Sequence, residues 1–330
     1  MTIDQEKVSV IIPILNSVEC LPTCLGSVIA AMKDYGNAEL ILIDNGSTDG
    51  SYEMLLSDYA RVAKIEQIKG VTISALRNRG AGLAQGNYLC FIDSDCVISR
   101  DYFGRAMEVF ATIGADATGC YYGLPPSPTW IAETWHHLHW RQGDGYVPYL
   151  YAGNFIIKKD VFERIGRFDE SLITGEDAEL GLRLTADGYK IYKAEAVSAI
   201  HLDNPKSLLA FFKKQAWHGL GMFGGLKSTS LDKPLAMTFV HLILTVVAAL
   251  NLLLNPGPLW VRSAAFVLAT ATVPLLTVFY RSAWRGKIYR PMRSWLLYYL
   301  YFAARVYALF KIIVLSFSRS GRPQARLHPS

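Results

Sequence analysis

The first apolar run, Val8–Leu15, is short, largely β-branched and hydrophobic on both faces, as expected of a buried strand. The apolar spacing then lengthens to a helical period, predicting a helix over Ser17–Lys33. Leu40–Ile43 repeats the strand pattern and ends in the turn Asp44-Asn45-Gly46-Ser47-Thr48-Asp49-Gly50. Helices are predicted over Ser51–Arg61 and Ser74–Ala84, the second closed by Gln85-Gly86-Asn87. Tyr88–Ile92 is a third strand and runs directly into Asp93-Ser94-Asp95. This alternation predicts an α/β fold with a mainly parallel sheet flanked by helices, whose working loops lie at the carboxyl ends of the strands. Both acidic turns fall there.

The pattern changes further along. Residues 119–153 are rich in Pro, Trp, His and Tyr and read as a substrate-facing insertion. Ser207–Leu226 mixes Leu208, Phe211, Trp217 and Leu220 with Lys213 and Lys214, as in an amphipathic helix on a membrane surface. Pro234–Leu254 has no charged residue, and Leu259–Tyr280 has only Arg262; at ~1.5 Å per residue both are long enough to cross a bilayer core. Trp295–Phe317 carries a narrow polar stripe with Arg305 and Lys311, and the favoured reading is a helix lying in the interface, with a third span as the alternative. The expected organisation is a catalytic domain over 1–204, an interfacial segment over 205–233 and an all-α membrane region over 234–330, ending in a basic tail.

Charge sharpens this division. The net +5 of the 330 residues hides −7 over residues 1–232 and +12 over the remainder, which has no acid at all. These basic residues bracket apolar runs, so anionic membrane lipids rather than nucleic acid are the expected partners. The basic stretch Arg281–Arg293 behind the second span predicts a cytosolic position for that loop and for the catalytic domain, in a multi-pass protein of the cytoplasmic (inner) membrane. Five cysteines without zinc spacing and polar residues at 1–7, where no secretory signal is read, fit the same reducing compartment.

Candidate chemistry begins with Asp93-Ser94-Asp95. Two carboxylates one residue apart at a strand end suit Mg²⁺ or Mn²⁺, which take few protein oxygens and complete their shell with phosphate and water. Other acids have simpler readings beside a functional one: Asp44 and Asp49 suit turn and helix capping, and Glu176 and Asp177 suit a helix N-terminus.

The motifs also occur in a specific order. Val10-Ile11-Ile12-Pro13 with Asn16 is followed by Cys24-Leu25-Gly26-Ser27-Val28 and by Ile43-Asp44-Asn45-Gly46-Ser47-Thr48-Asp49-Gly50-Ser51. Arg77-Asn78-Arg79-Gly80 and Asp93-Ser94-Asp95 come next, then Ala152-Gly153-Asn154, Phe168-Asp169-Glu170, Gly175-Glu176-Asp177-Ala178-Glu179-Leu180 with Arg183, and His201. This ordered set, from about Val8 to His201, resembles the family 2 glycosyltransferases and their GT-A (Rossmann-like) nucleotide-binding fold. The resemblance implies that Asp44 contacts the nucleotide base, although Asn45 stands where the pattern has a second acid. It implies that Pro13, Asn16 and Ser47 line the donor pocket, that Arg77 faces the diphosphate, and that Asp93 and Ser94 sit on the donor side. Asp95 and Asp93 would hold the metal, His201 would join them or serve only in packing, and Asp177 beside Glu176 would be the general base. Gly153, Asn154 and Trp217 are acceptor-side candidates.

The expected function is inverting transfer of a sugar from a UDP-, GDP- or dTDP-linked donor to a hydroxyl of a lipid-linked or glycan acceptor near the membrane. One alternative is transfer to polyprenyl phosphate, which needs no general base. Another is a catalytically silent scaffold that binds nucleotide-sugar. A nucleotidyltransferase would show a Gly-rich, lysine-bearing loop, and residues 8–27 have none.

Overall fold

A computed structural model describes residues 6–140, 142–224, 233–285 and 289–317. They form two compact units: the first holds 6–127 and 142–203, and the second holds 128–140 and the residues from 204 onward.

In chain order the elements are β1 (Val8–Ile14), α1 (Leu21–Tyr35), β2 (Ala38–Asp44), α2 (Ser51–Met54, continuing as a π-turn over Leu55–Tyr59), β3 (Ala63–Gln67), α3 (Ile73–Leu83), β4 (Tyr88–Ile92), β5 (Cys96–Ile98), α4 (Tyr102–Ile113) and β6 (Ala117–Gly119). They continue with α5 (Trp130–His139), β7 (Gly145–Tyr146), β8 (Asn154–Lys158), α6 (Lys159–Arg164), α7 (Glu176–Ala186), β9 (Ile191–Lys193) and β10 (Ala199–His201). The last four are α8 (Leu208–Gly224), α9 (Lys233–Leu254), α10 (Leu259–Arg285) and α11 (Pro291–Phe317).

The first unit is built on an eight-stranded sheet of order β3-β2-β1-β4-β8-β6-β9-β7, parallel from β3 to β4 and antiparallel at β8 and β7. Side chains alternate between faces along each strand, and here both faces are covered. Val8, Val10, Ile12 and Ile14 enter one core with Leu42 and Cys90, against Leu25 and Val28 of α1 and Phe103 of α4. Ile11, Ile41, Ile43 and Phe91 enter the other with Leu76 of α3, Phe162 of α6 and Leu180 of α7. The expectation of a mainly parallel, helix-flanked sheet is met.

Boundaries moved where backbone groups found other partners. The first helix starts at Leu21, not Ser17, because the Ser17 and Val18 amides donate to Ser51 Oγ and Asp49 Oδ2 on the neighbouring loop. The helix expected over Ser51–Arg61 is a single α-turn followed by the π-turn. β3 went unread because its pattern, Ala-Lys-Ile-Glu-Gln, is that of a partly exposed edge strand.

The second unit is all-helical. Lys233–Leu254, Leu259–Ala283 and Pro291–Val314 are each long and apolar enough to cross a membrane. On α11, Leu297, Tyr298, Phe302 and Ala308 are buried against neighbouring helices. Arg305 is also buried, its guanidinium 4.8 Å from the centre of the Tyr301 ring. A cation placed against protein carries little of the cost that lipid would impose. The 119–153 segment contains a regular element of this unit: α5 packs Trp135 against Phe211 of α8 (4.9 Å between ring centres) and Tyr298 of α11 (5.6 Å). Lys287 and the tail with Arg319, Arg322 and Arg326 lie outside the described residues.

Candidate active site

The parallel strands β1, β2 and β4 end in loops that are stitched to one another. Asn16 accepts from the Thr48 amide (2.9 Å) and donates its own amide to Ser47 Oγ (2.9 Å). Ser17 and Ser94 share a hydroxyl–hydroxyl bond of 2.8 Å. Asp49 accepts from the Val18 amide and from the Ser51 amide and hydroxyl, as a turn residue does, while the N-cap of α2 is Gly50.

Asp44 is fully buried and accepts from the Gly46 and Ser47 amides, Ser47 Oγ and Gln67 Nε2. Asn45 clamps Val71, donating to its carbonyl (3.0 Å) and accepting from its amide (3.2 Å). A carboxylate there could not donate, so an Asn in place of the second acid has a local physical reason. Pro13 lies beyond the stretch of β1 that pairs with β4, where its missing N–H breaks no bond on that side.

The charged centre is a chain of three side chains. Arg77 on α3 is buried; its Nη2 reaches Asp93 Oδ1 at 2.7 Å and its Nη1 reaches Glu176 Oε1 at 2.6 Å. Arg77 is therefore a buried bridge between two carboxylates. Tyr122 donates to Asp93 Oδ2 at 3.1 Å; burial, then the Asp93 charge, push its phenol well above the usual tyrosine range, so it stays a neutral donor. Gly153 is required beside them: a Cβ there would lie 1.9 Å from Asp93 Oδ2 and 2.2 Å from Tyr122 Oη. Its backbone carbonyl also accepts from the Asp93 amide.

Asp177 occupies the first turn of α7. Gly175, at φ +86°, makes the left-handed turn that precedes it. Burial, and next the adjacent Glu176 carboxylate, push the Asp177 carboxyl up to about 7. A carboxyl with that value changes its protonation near neutral pH.

Asp95 and His201 meet because β5 and β10 pair with His201 opposite Cys96, and His201 Nε2 lies 3.2 Å from Asp95 Oδ2. One carboxylate oxygen and one imidazole nitrogen form a donor pair that suits Mn²⁺ or Mg²⁺ sharing its shell with phosphate oxygens. Among the described residues no group of three or more His, Cys, Asp or Glu could hold a metal unaided.

The acceptor-side candidates separate. Asn154 is wholly buried, donating to the Cys120 and Val197 carbonyls and accepting from Tyr102 Oη, so it belongs to the core and cannot face an acceptor. Trp217 belongs to the second unit, packed with Leu220, Leu235 and Ala308. Tyr122 was missed in the sequence because nothing in its spacing links it to Asp93, 29 positions away.

The sequence model described as glycosyl transferase family group 2 matches residues 88–313, well over half the chain. The chain belongs to the family 2 glycosyltransferases. The glycosyl transferase family 2 model itself matches residues 9–166. This glycosyltransferase is similar to glycosyltransferase AglE of Haloferax volcanii, 27% identical over 228 residues that cover 67% of this chain and 74% of the relative. It is also similar to the succinoglycan biosynthesis protein ExoA of Rhizobium meliloti, 25% identical over 62% of this chain and 66% of that one. In fold it resembles a mannosyltransferase of Pyrobaculum calidifontis solved with GDP-Man and Mn²⁺, at TM-score 0.61 and 20% identity, over 93% of this chain and 88% of that one.

Proposed function

We propose that this glycosyltransferase moves a sugar from a nucleotide-sugar to a hydroxyl of a membrane-proximal, lipid-linked or glycan acceptor, with inversion at the anomeric carbon. The observation that carries this reading is Asp177, whose carboxyl is raised to about 7 beside Glu176, the residue that Arg77 joins to the strand-end Asp93. The acceptor hydroxyl loses its proton to Asp177 as its oxygen attacks the anomeric carbon. The sugar–phosphate bond breaks on the opposite face, and its electron pair leaves with the nucleoside diphosphate. A phosphate acceptor is already ionised and would have no use for such a base.

Asp95 and His201, with Asp93 nearby on the same loop, are the residues that would hold Mn²⁺ or Mg²⁺. When bound, the metal would act as a Lewis acid on the diphosphate, neutralising its growing charge. The donor and metal seen in the Pyrobaculum calidifontis mannosyltransferase are consistent with this reading. The loops carrying Pro13, Asn16, Asp44, Ser47 and Ser94 form the donor side, with Asp44 and Asn45 shaping the loop and not only touching the base. The expected setting is a multi-pass membrane protein with this unit in the cytosol.

Hydrolysis of UDP-, GDP- and dTDP-sugars by the purified chain tests the proposal. Release of nucleoside diphosphate that requires both divalent metal and Asp177 is expected. Nucleotide-sugar binding with no turnover on any donor would leave a silent scaffold instead.

A further inference from the structure

Four half-buried tyrosines connect Asp93 to the helix that carries Asp177. Tyr122, bonded to Asp93, stacks on Tyr151 with ring centres 5.4 Å apart and planes at 19°. Tyr121 and Tyr149 lie 5.3 and 6.5 Å from the same Tyr151 ring. Tyr149 in turn rests on α7 at Gly181, where a Cβ would stand 2.3 Å from the tyrosine Cβ. Gly181 is four residues after Asp177, one turn along the same helix face. The ladder therefore spans from the donor-side carboxylate to the face of the base helix, which is the surface an acceptor must cover to meet both.

The chemistry of that surface selects the acceptor. Aromatic faces with phenol groups at their edges suit the C–H faces and hydroxyls of sugar rings. The cations bordering the ladder are committed to carboxylates. Arg77 lies between Asp93 and Glu176, and Lys193, buried 5.8 Å from the Tyr121 ring centre, has Glu195 at 3.9 Å. A phosphate group would meet little positive charge there.

We infer that Tyr121, Tyr122, Tyr149 and Tyr151 form an acceptor subsite for a pyranose ring, so that the attacked hydroxyl belongs to a sugar already in place and not to a lipid phosphate. This rests on the transferase reading above and narrows it. The test uses the full chain in lipid nanodiscs with Mg²⁺ and nucleoside diphosphate, and saturation-transfer NMR on methyl glucoside, galactoside, mannoside and N-acetylglucosaminide. At least one pyranoside is expected to receive saturation from the protein. Its signal should fall at least about fivefold in Tyr149→Leu and Tyr151→Leu, persist in Tyr151→Phe, and withstand an excess of farnesyl phosphate. No saturation of any pyranoside, leucine variants equal to wild type, equal loss in Tyr151→Phe, or displacement by farnesyl phosphate would each overturn the inference. Nucleotide-sugar hydrolysis in the same sample separates the two levels: if hydrolysis is absent both fail, and if it is present with any of these outcomes only the subsite fails.

Discussion

Arg77 and Glu176 are 99 positions apart in sequence yet form a 2.6 Å ion pair that is almost wholly out of water. Removing one member of a buried pair strands the other's charge, typically at a cost of about 3–5 kcal/mol. Arg77→Met is therefore expected to lower the melting temperature of the catalytic unit clearly and to abolish turnover. Arg77→Lys should rescue only part of either, because a single ammonium cannot fork to Asp93 and Glu176 together. Thermal-shift and hydrolysis assays on the two variants check this; wild-type behaviour of Arg77→Met would refute the bridge.

Asp177→Asn is expected to lose ~10²–10⁴-fold in transfer while keeping nucleotide affinity, since a general base serves the acceptor and not the donor. Isothermal titration with nucleoside diphosphate beside turnover measurements separates the two. An equal loss of both would move Asp177 to the donor site.

The raised Asp177 carboxyl sets a pH signature. Activity should climb with pH through about 7 and level off above, as the base ionises. Stability runs the other way. The folded chain holds this proton more tightly than the unfolded chain, whose ordinary value is 3.8, so the group's contribution is full below that value and is lost as pH rises to about 7. Denaturation curves of wild type and Asp177→Asn between these limits should converge at low pH.

The pairing of Asp95 with His201 predicts graded metal effects. Asp95→Ala should remove the metal dependence of donor binding, and His201→Ala should weaken metal affinity by at least about 10–100-fold, the scale seen when only an outer-shell partner of a metal ligand is lost. Titrating Mn²⁺ against nucleotide binding reads both; full metal-dependent turnover in Asp95→Ala would be decisive against the assignment.

Much of this is legible in the amino-acid sequence. The first, second and fourth strands of the sheet announced themselves as apolar runs, and Asp93 and Asp95 stood out because they end one of them. What stayed hidden was long-range. Asn154 looks like a polar motif residue, and only folding reveals that the Cys120 and Val197 carbonyls consume its amide. Nothing in the sequence around Arg77 shows that α7 brings Glu176 against it. The segment 119–153 offered no strong period because α5 is short and buries Ile131, Ala132, Thr134 and Leu138 while Trp135 packs on Phe211 and Tyr298 from a part-buried position.

That helix has a practical consequence. Residues 128–140 leave the catalytic unit, lie among α8 and α11, and the chain then returns to supply β7 through β10. A cut after Asp203 would thus not free a clean soluble enzyme. It would leave Trp130, Ile131 and Trp135 stripped of Phe211, Leu297 and Tyr298, an oily thumb with nothing to grip. Secretable or detergent-free forms would need that thumb replaced by a short polar turn between Ser127 and Gln142, and the difference in solubility between the two truncations would measure how strongly those apolar side chains drive association once α8 and α11 are gone.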